Sequence, residues 1–140
     1  MRKSVAQSAV RLFAASWRWG LAASYAAAIV VASARSGVPD LPGGPSDKLL
    51  HALAYAGLCA CVIFAATRGR WREATVRVAL ASAVACVLYG ITDEWHQSFV
   101  PGRDASAGDV AADALGSFAA AGTVYAWGII SRGSRRRDAV

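Results

Sequence analysis

Four long apolar blocks alternate with short polar segments along this chain of 140 residues. Each block has close to the roughly 20 residues that an α-helix needs to cross a bilayer. Alanine is abundant in the blocks and apolar residues do not alternate with polar ones, so helix is favoured over strand. The pattern predicts an all-α fold, an integral membrane bundle of four transmembrane helices over residues 17-35, 47-67, 74-96 and 106-130.

The basic residues are unevenly distributed among the segments that flank these blocks. Twelve of the 15 Lys and Arg residues lie in the N-terminal segment, near the loop around Arg70 or in the C-terminal segment. Seven of the nine Asp and Glu residues lie in or near the other two loops. Because Lys and Arg are retained in the cytoplasm, both termini are predicted to be cytoplasmic. The chain then divides into a basic tail (1-18), one transmembrane domain (19-130) and a second basic tail (131-140).

Composition agrees with a membrane protein and argues against two other classes. Hydrophobic residues make up 56% and charged residues 17% of the chain, against about 45–50% and 25% in soluble domains. The net charge of +6 does not indicate a nucleic-acid partner, because the basic residues flank apolar blocks instead of interleaving with aromatic residues. Cys59, Cys61 and Cys86 lie inside apolar blocks without CxxC spacing, which indicates packing residues and not a disulfide framework or a zinc site.

Polar residues converge on the predicted outer side, where three helix ends meet. Helical spacing places Asp47, His51 and Tyr55 on one face of the second helix, and Asp109 and Asp113 on one face of the fourth. On the third helix, Asp93 shares a face with either His96 or Gln97. The small residues Gly116 and Ala120 continue the acidic stripe and favour close helix packing. The sequence predicts a polar pocket open to the outer surface, with candidate binding residues Asp47, His51, Tyr55, Asp93, Glu94, His96, Gln97, Arg103, Asp109 and Asp113.

The same residues form four ordered motifs. They are Asp47-Lys48-x-x-His51-x-x-x-Tyr55, Tyr89-Gly90-x-x-Asp93-Glu94-x-His96-Gln97, Phe99-Val100-Pro101-Gly102-Arg103 and Asp109-Val110-x-x-Asp113-x-Leu115-Gly116. With these motifs the chain resembles the VanZ-like membrane protein family, whose founding member is linked to resistance to the glycopeptide antibiotic teicoplanin. The resemblance implies a small envelope protein of the cell membrane. One departure is Asp113, which stands where the family often has asparagine.

Some candidate residues also have purely structural interpretations. Asp47, in the first turn of the second helix, and Asp109, in a Ser106-x-x-Asp109 capping box, fit helix caps. Arg103 follows a Pro-Gly turn, where it fits either a solvated charge or headgroup contact, or a bidentate clamp on an anionic group. Asp113 lies deeper, and ionisable residues at such a depth in a membrane helix usually face a cavity and a partner.

Three functional hypotheses follow from the pocket. The first is a non-enzymatic envelope protein that binds an amphiphile, either a lipopeptide antibiotic or a lipid-linked cell-wall intermediate, among membrane lipids. The second is a membrane enzyme acting on a lipid head group, and the third is a small transporter. No His-Glu-x-x-His helix or other zinc motif is present, so neither a metal, another cofactor nor a catalytic residue is predicted. Polar residues do not continue through the middle of the helices, which ranks transport last.

Overall fold

The computed structural model of the chain describes the backbone of residues 2–34, 47–103 and 105–137, and the side chains of 16–34, 47–103 and 105–134. These ranges form α-helices α1 (Arg2–Ser33), α2 (Asp47–Ala66), α3 (Val76–Gln97) and α4 (Ala107–Arg137), and a short 3-10 helix, Trp71–Glu73. The all-α prediction is confirmed for this part of the chain. Residue 35 of the first predicted helix, and residues 138–140 of the predicted tail, lie outside it.

Two helices are longer than the hydropathy pattern predicted. The α1 helix begins at Arg2 instead of residue 17, so most of the predicted basic tail is helical. The added segment contains neither Gly nor Pro, and four of its 15 residues are alanine, the best helix former. The α4 helix continues past residue 130 to Arg137, and its Arg132 donates a hydrogen bond to the carbonyl oxygen of Arg72 at 2.6 Å. A hydropathy pattern locates the apolar part of a helix and does not detect polar residues that extend the helix at either end.

The connection between α2 and α3 is fixed by local hydrogen bonds. The N–H of Gly69 donates to Phe64 O and that of Arg68 to Ala65 O, with Arg68 at a φ of 56°. This pair of bonds is a Schellman motif, which ends α2. The 3-10 turn follows, and α3 starts at Val76, two residues later than predicted, because Thr75 caps it by accepting a hydrogen bond from Val78 N.

The bundle is packed around α4, which lies against both α2 and α3, while α1 packs mainly on α2. The core between the helices combines Tyr55, Leu58, Cys59 and Ile63 with small alanines. Gly116 marks the closest approach of α4 to α2, since a methyl group there would overlap the backbone of Ala52. Small residues thus bring two helix backbones together, as membrane helices require in the absence of a hydrophobic drive between them.

The outside of the bundle is apolar. Among the described residues, α2, α3 and α4 up to Ser134 are long and apolar enough to cross a membrane. Large apolar side chains such as Leu53, Leu88, Leu115 and Trp127 are exposed on these helices. A monomeric soluble protein rarely exposes so many large apolar side chains. The number of membrane-spanning helices and the cytoplasmic position of the termini stay predictions.

Candidate functional site

Asp113 and His51 form the centre of the polar cluster, and they join α4 to α2. Oδ1 of Asp113 lies 3.0 Å from Nδ1 of His51, and the Asp113 side chain is only 1% exposed. Gly90 on α3 makes room for this carboxylate, because a methyl group at Gly90 would lie 2.7 Å from Asp113 Oδ2 and 3.2 Å from the Tyr55 ring. The glycine in the third-helix motif therefore has a steric role in the site.

A second interhelix contact lies one turn nearer the helix ends. Lys48 Nζ on α2 pairs with Oδ1 of Asp109 on α4 at 3.0 Å. The Lys48 side chain is 60% exposed, whereas that of Asp109 is 11% exposed, so the ammonium compensates a largely desolvated carboxylate. Asp47 lies beside them and is exposed.

Hydrogen bonds of Asp93, Glu94 and Gln97 at the end of α3 join this helix to α1 and to the start of α4. The Gln97 amide donates to Asp93 Oδ2 and to Glu94 Oε1, both at 3.2 Å. Oδ1 of Asp93 accepts from the Ser33 hydroxyl of α1 at 2.8 Å, and Oε2 of Glu94 accepts from the Ser106 N–H at 2.8 Å. These acids are buried and each carboxylate oxygen has a donor, as buried charges require.

The start of α4 corrects the predicted capping box. In a capping box the residue at the Asp109 position would accept from the Ser106 N–H. Here Glu94 of α3 accepts that bond, while the Asp109 carboxylate binds Lys48. The Ser106 hydroxyl still caps the helix by accepting from Gly108 N at 3.1 Å. The helix start is therefore completed from a neighbouring helix.

Arg103 is positioned by a tight turn. The N–H of Arg103 donates to Val100 O at 3.1 Å, and Gly102 has a φ of 81°. With Pro101 before the glycine, this geometry fits a type II turn, whose third position favours glycine. The turn brings Arg103 to the end of α1, where its Nε donates to Ser33 O at 3.1 Å.

A cavity of about 350 Å³ opens between α1 and α2 next to this cluster. Its walls are mostly apolar, and polar side chains gather at the end formed by the last turn of α1 and the first turn of α2. The polar lining residues are Ser33, Asp47, His51, Asp93 and Arg103, and the other lining residues are Tyr25, Ala28, Ile29, Ala32, Leu50, Ala54 and Tyr55. Five of the ten predicted site residues line it.

Three buried polar atoms below the cavity have no hydrogen-bond partner among the described residues. They are Oδ2 of Asp113, the hydroxyl of Tyr55 and the hydroxyl of Ser117. Tyr55 and Asp113 meet at Gly90, and Ser117 lies one turn further along α4. Unpaired buried groups are uncommon in folded proteins, and bound water is the usual partner.

One predicted site residue is not brought into the cluster. His96 is exposed, and no side-chain contact among the described residues joins it to Asp93, Glu94 or Gln97. The helical period explains this, since 3.6 residues per turn place residues 93, 94 and 97 on one face and turn 96 away. The sequence left open whether His96 or Gln97 shares a face with Asp93, and in the structure it is Gln97.

Sequence reasoning missed the contribution of α1. Ser33 contacts both Asp93 and Arg103, and Tyr25 lines the cavity. The only available signals were a serine and a tyrosine in an alanine-rich span, and such residues are common in membrane helices without any site.

One subset of the cluster has the donor types of a cation site. One ligand atom each of Asp47, His51 and Asp109 lie within 4.8 Å of one another, and imidazole and carboxylate are both metal ligands. Lys48 already pairs with Oδ1 of Asp109, so its ammonium would compete with a metal ion for this carboxylate. The absence of a resident metal stays a prediction.

A bundle of apolar helices with one polar end defines a class of small membrane-type helical proteins. Within this class the match is specific: the family model described as VanZ/LLP1 matches residues 4–129. The chain therefore belongs to the VanZ/LLP1 family. No curated protein and no solved structure matches it.

Proposed function

We propose that this VanZ-like protein spans the cell membrane with four helices and binds an amphiphilic or lipid-linked ligand in a pocket on the extracytoplasmic side. We further propose that this binding contributes to resistance to glycopeptide antibiotics of the teicoplanin type. The supporting observation is the cavity between α1 and α2, which combines apolar walls with a polar end. That division matches the two chemical halves of an amphiphile.

The position of the cavity supports this proposal. Its polar residues belong to the last turn of α1, the first two turns of α2, the C-terminal end of α3 and the α3–α4 turn, so in a membrane they would lie near the headgroup region. Its apolar residues, such as Ile29 and Ala54, lie further along the same helices, at the depth of acyl chains. An amphiphile entering sideways from the outer leaflet would meet each part at its matching depth.

The distribution of basic residues supports the outward orientation of the cavity. Arg132 contacts the backbone of Arg72, and the Trp17 ring packs on Phe64 with centroids 5.8 Å apart. The basic segments therefore lie at the same end of the bundle, opposite the cavity's polar end. With the basic end in the cytoplasm, the cavity opens outward.

A pair of tryptophan variants tests the role of the cavity. Ala28 and Ala119 are both exposed helix alanines, but only Ala28 lines the cavity. In a deletion strain sensitive to teicoplanin, Ala28→Trp should fail to restore resistance because the indole fills the cavity, whereas Ala119→Trp should restore it. Membrane abundance is measured for both. Full complementation by Ala28→Trp would contradict the proposal.

A membrane enzyme acting on a lipid head group is the second candidate. It is favoured by the His51–Asp113 pair, because a ring that donates from Nδ1 to Asp113 keeps Nε2 as a proton acceptor. Turnover of a lipid substrate by purified protein, lost in His51→Gln with binding retained, would favour the enzyme over the binding protein.

A further inference from the structure

The polar end of the cavity carries opposite charges on its two sides. Arg103 lies on the α1 side, where its Nε is bonded to Ser33 O. Asp47 is the first residue of α2, on the other side. Both line the cavity, yet no ion pair joins them within the described part of the chain. A gap flanked by a cation and an anion remains between the two helices.

The other charged groups of the cluster each have at least one side-chain partner. Both oxygens of Asp93 accept hydrogen bonds, from Ser33 and from Gln97. Asp109 pairs with Lys48, and Asp113 binds His51. These groups hold the helices together and are poorly placed to attract a ligand.

Two charged groups remain available at the cavity. The terminal nitrogens of Arg103 have no partner among the described residues, because only its Nε makes a hydrogen bond. The Asp47 carboxylate likewise has no hydrogen bond or ion pair there. A guanidinium presents a planar fork that fits phosphate or carboxylate, and an exposed carboxylate fits an ammonium group.

The size of the cavity limits the apolar part of the ligand. Its volume of about 350 Å³ is near the lower end of the ~300–1,000 Å³ found for small-molecule sites. The rest of the lining consists of three alanines with Tyr25, Ile29, Leu50 and Tyr55, and these residues form a slot between two helices. One acyl chain fits such a slot better than two.

We propose that the ligand is a single-chain zwitterionic amphiphile, whose anionic group binds Arg103 and whose ammonium group binds Asp47. This inference rests on the proposed function and adds the chemical class of the ligand. An anionic amphiphile with an otherwise neutral head group would satisfy Arg103 and leave the carboxylate of Asp47 uncompensated. A zwitterion compensates both sides of the gap at once.

Matched lipids test the charge requirement. The full-length protein in a non-ionic detergent is titrated with lysophosphatidylethanolamine and lysophosphatidylglycerol of the same acyl chain, and binding is measured by native mass spectrometry. Lysophosphatidylethanolamine, the zwitterion, should bind about fivefold more tightly than lysophosphatidylglycerol. The factor is modest because Asp47 is exposed to solvent. An acyl-lysine of equal chain length, which pairs a carboxylate with an ammonium, distinguishes the anion: tighter binding than lysophosphatidylethanolamine identifies a carboxylate ligand and weaker binding a phosphate ligand.

Three variants separate the two charges. Asp47→Asn should remove the preference for the ethanolamine head group and leave binding of the glycerol lipid unchanged. Arg103→Gln should weaken both lipids by a similar factor. Glu73→Gln, at an exposed acid near the opposite end of the bundle, should change neither.

The amphiphile site and the zwitterionic ligand would be contradicted by different binding results. If neither lysophospholipid nor the acyl-lysine binds, the proposed amphiphile site fails. If lipids bind with equal affinity, or if Asp47→Asn keeps the preference, the amphiphile site stands and the zwitterionic ligand is overturned.

Discussion

Asp113 shows how the bundle holds a carboxylate in its interior. One oxygen binds His51, and the other, without a partner among the described residues, faces the space left by Gly90. A buried carboxylate with a single side-chain partner is costly, and a neutral amide of the same shape reduces that cost while keeping an acceptor for His51. The asparagine that the family resemblance implies at this position and the aspartate of this chain can therefore both be accommodated here.

Variants of Asp113 should therefore separate charge from hydrogen bonding. We expect Asp113→Asn to change the free energy of unfolding by less than about 1 kcal/mol, whereas Asp113→Leu should cost about 1–3 kcal/mol because His51 loses its partner. Thermal unfolding in detergent measures both. A Leu variant as stable as the Asn variant would show that the His51 contact contributes little.

Glu94 has a different dependence on its charge. Both of its oxygens accept hydrogen bonds, from Gln97 and Ser106. In Glu94→Gln an NH₂ group must face one of these donors, so a buried bond is lost at about 1–3 kcal/mol. We expect lower stability and loss of teicoplanin resistance in complementation.

The matched control for Glu94 is Glu73→Gln. Glu73 pairs with Arg70, but both side chains are more than half exposed, so the change should cost less than about 1 kcal/mol. Equal stability of the two variants would contradict the role of Glu94 in joining α3 to the start of α4.

At the scale of helices, close packing of α4 on α2 positions the site. Gly116 lies one turn beyond Ala112 and Asp113 on α4 and is buried, and the backbone of Ala52 fills the space that a side chain would need. Because His51 precedes Ala52, any separation of the two helices at Gly116 would also separate His51 from Asp113. The Gly116–Ala52 contact and the His51–Asp113 contact therefore depend on each other, because His51 and Ala52 are neighbours in the sequence.

Two glycine-to-alanine changes on α4 test this coupling. Gly116→Ala should destabilise the protein by about 1–3 kcal/mol, as overpacked cores do. Gly122→Ala has nothing within 4 Å and should be neutral or stabilising by up to about 1 kcal/mol, since alanine is the better helix former. Unfolding in detergent compares them. If Gly116→Ala is as stable as Gly122→Ala, the helices are not in close contact there.

The apolar parts of the helices and five of the twelve residues that line the cavity were accessible to sequence reasoning, for identifiable physical reasons. Apolar length predicted α2, α3 and the apolar part of α4, and four-residue spacing placed His51 on one stripe of the second helix and Asp113 on one stripe of the fourth. The role of Ser33 was not predictable, because it depends on which α1 turn meets Arg103. The cross-helix cap of Ser106 by Glu94 was missed for the same reason: local capping rules consider one helix at a time.

For the whole molecule, the dominant feature is the separation of charge along the bundle. The end where α2 leads into α3 and α4 finishes carries Arg68, Arg70, Arg72 and Arg132, while the other end carries the acidic site. An apolar exterior joins the two ends. In a membrane such an arrangement has one favoured orientation, since translocating the arginine-rich end would be opposed by the positive-inside bias.

Cysteine accessibility tests this orientation with two described and exposed positions. Phe99 lies in the turn at the acidic end, and Ser134 lies near the C-terminal end of α4. After Cys59, Cys61 and Cys86 are replaced by alanine, Phe99→Cys should react with a membrane-impermeant maleimide in intact cells. Ser134→Cys should react only after permeabilisation, because the positive-inside bias favours a cytoplasmic position for the arginine-rich end. The reverse labelling would place the cavity on the cytoplasmic side and remove the route by which an extracellular antibiotic or an outer-leaflet lipid reaches it. Labelling of both sites in intact cells, at normal membrane abundance, would contradict a single orientation.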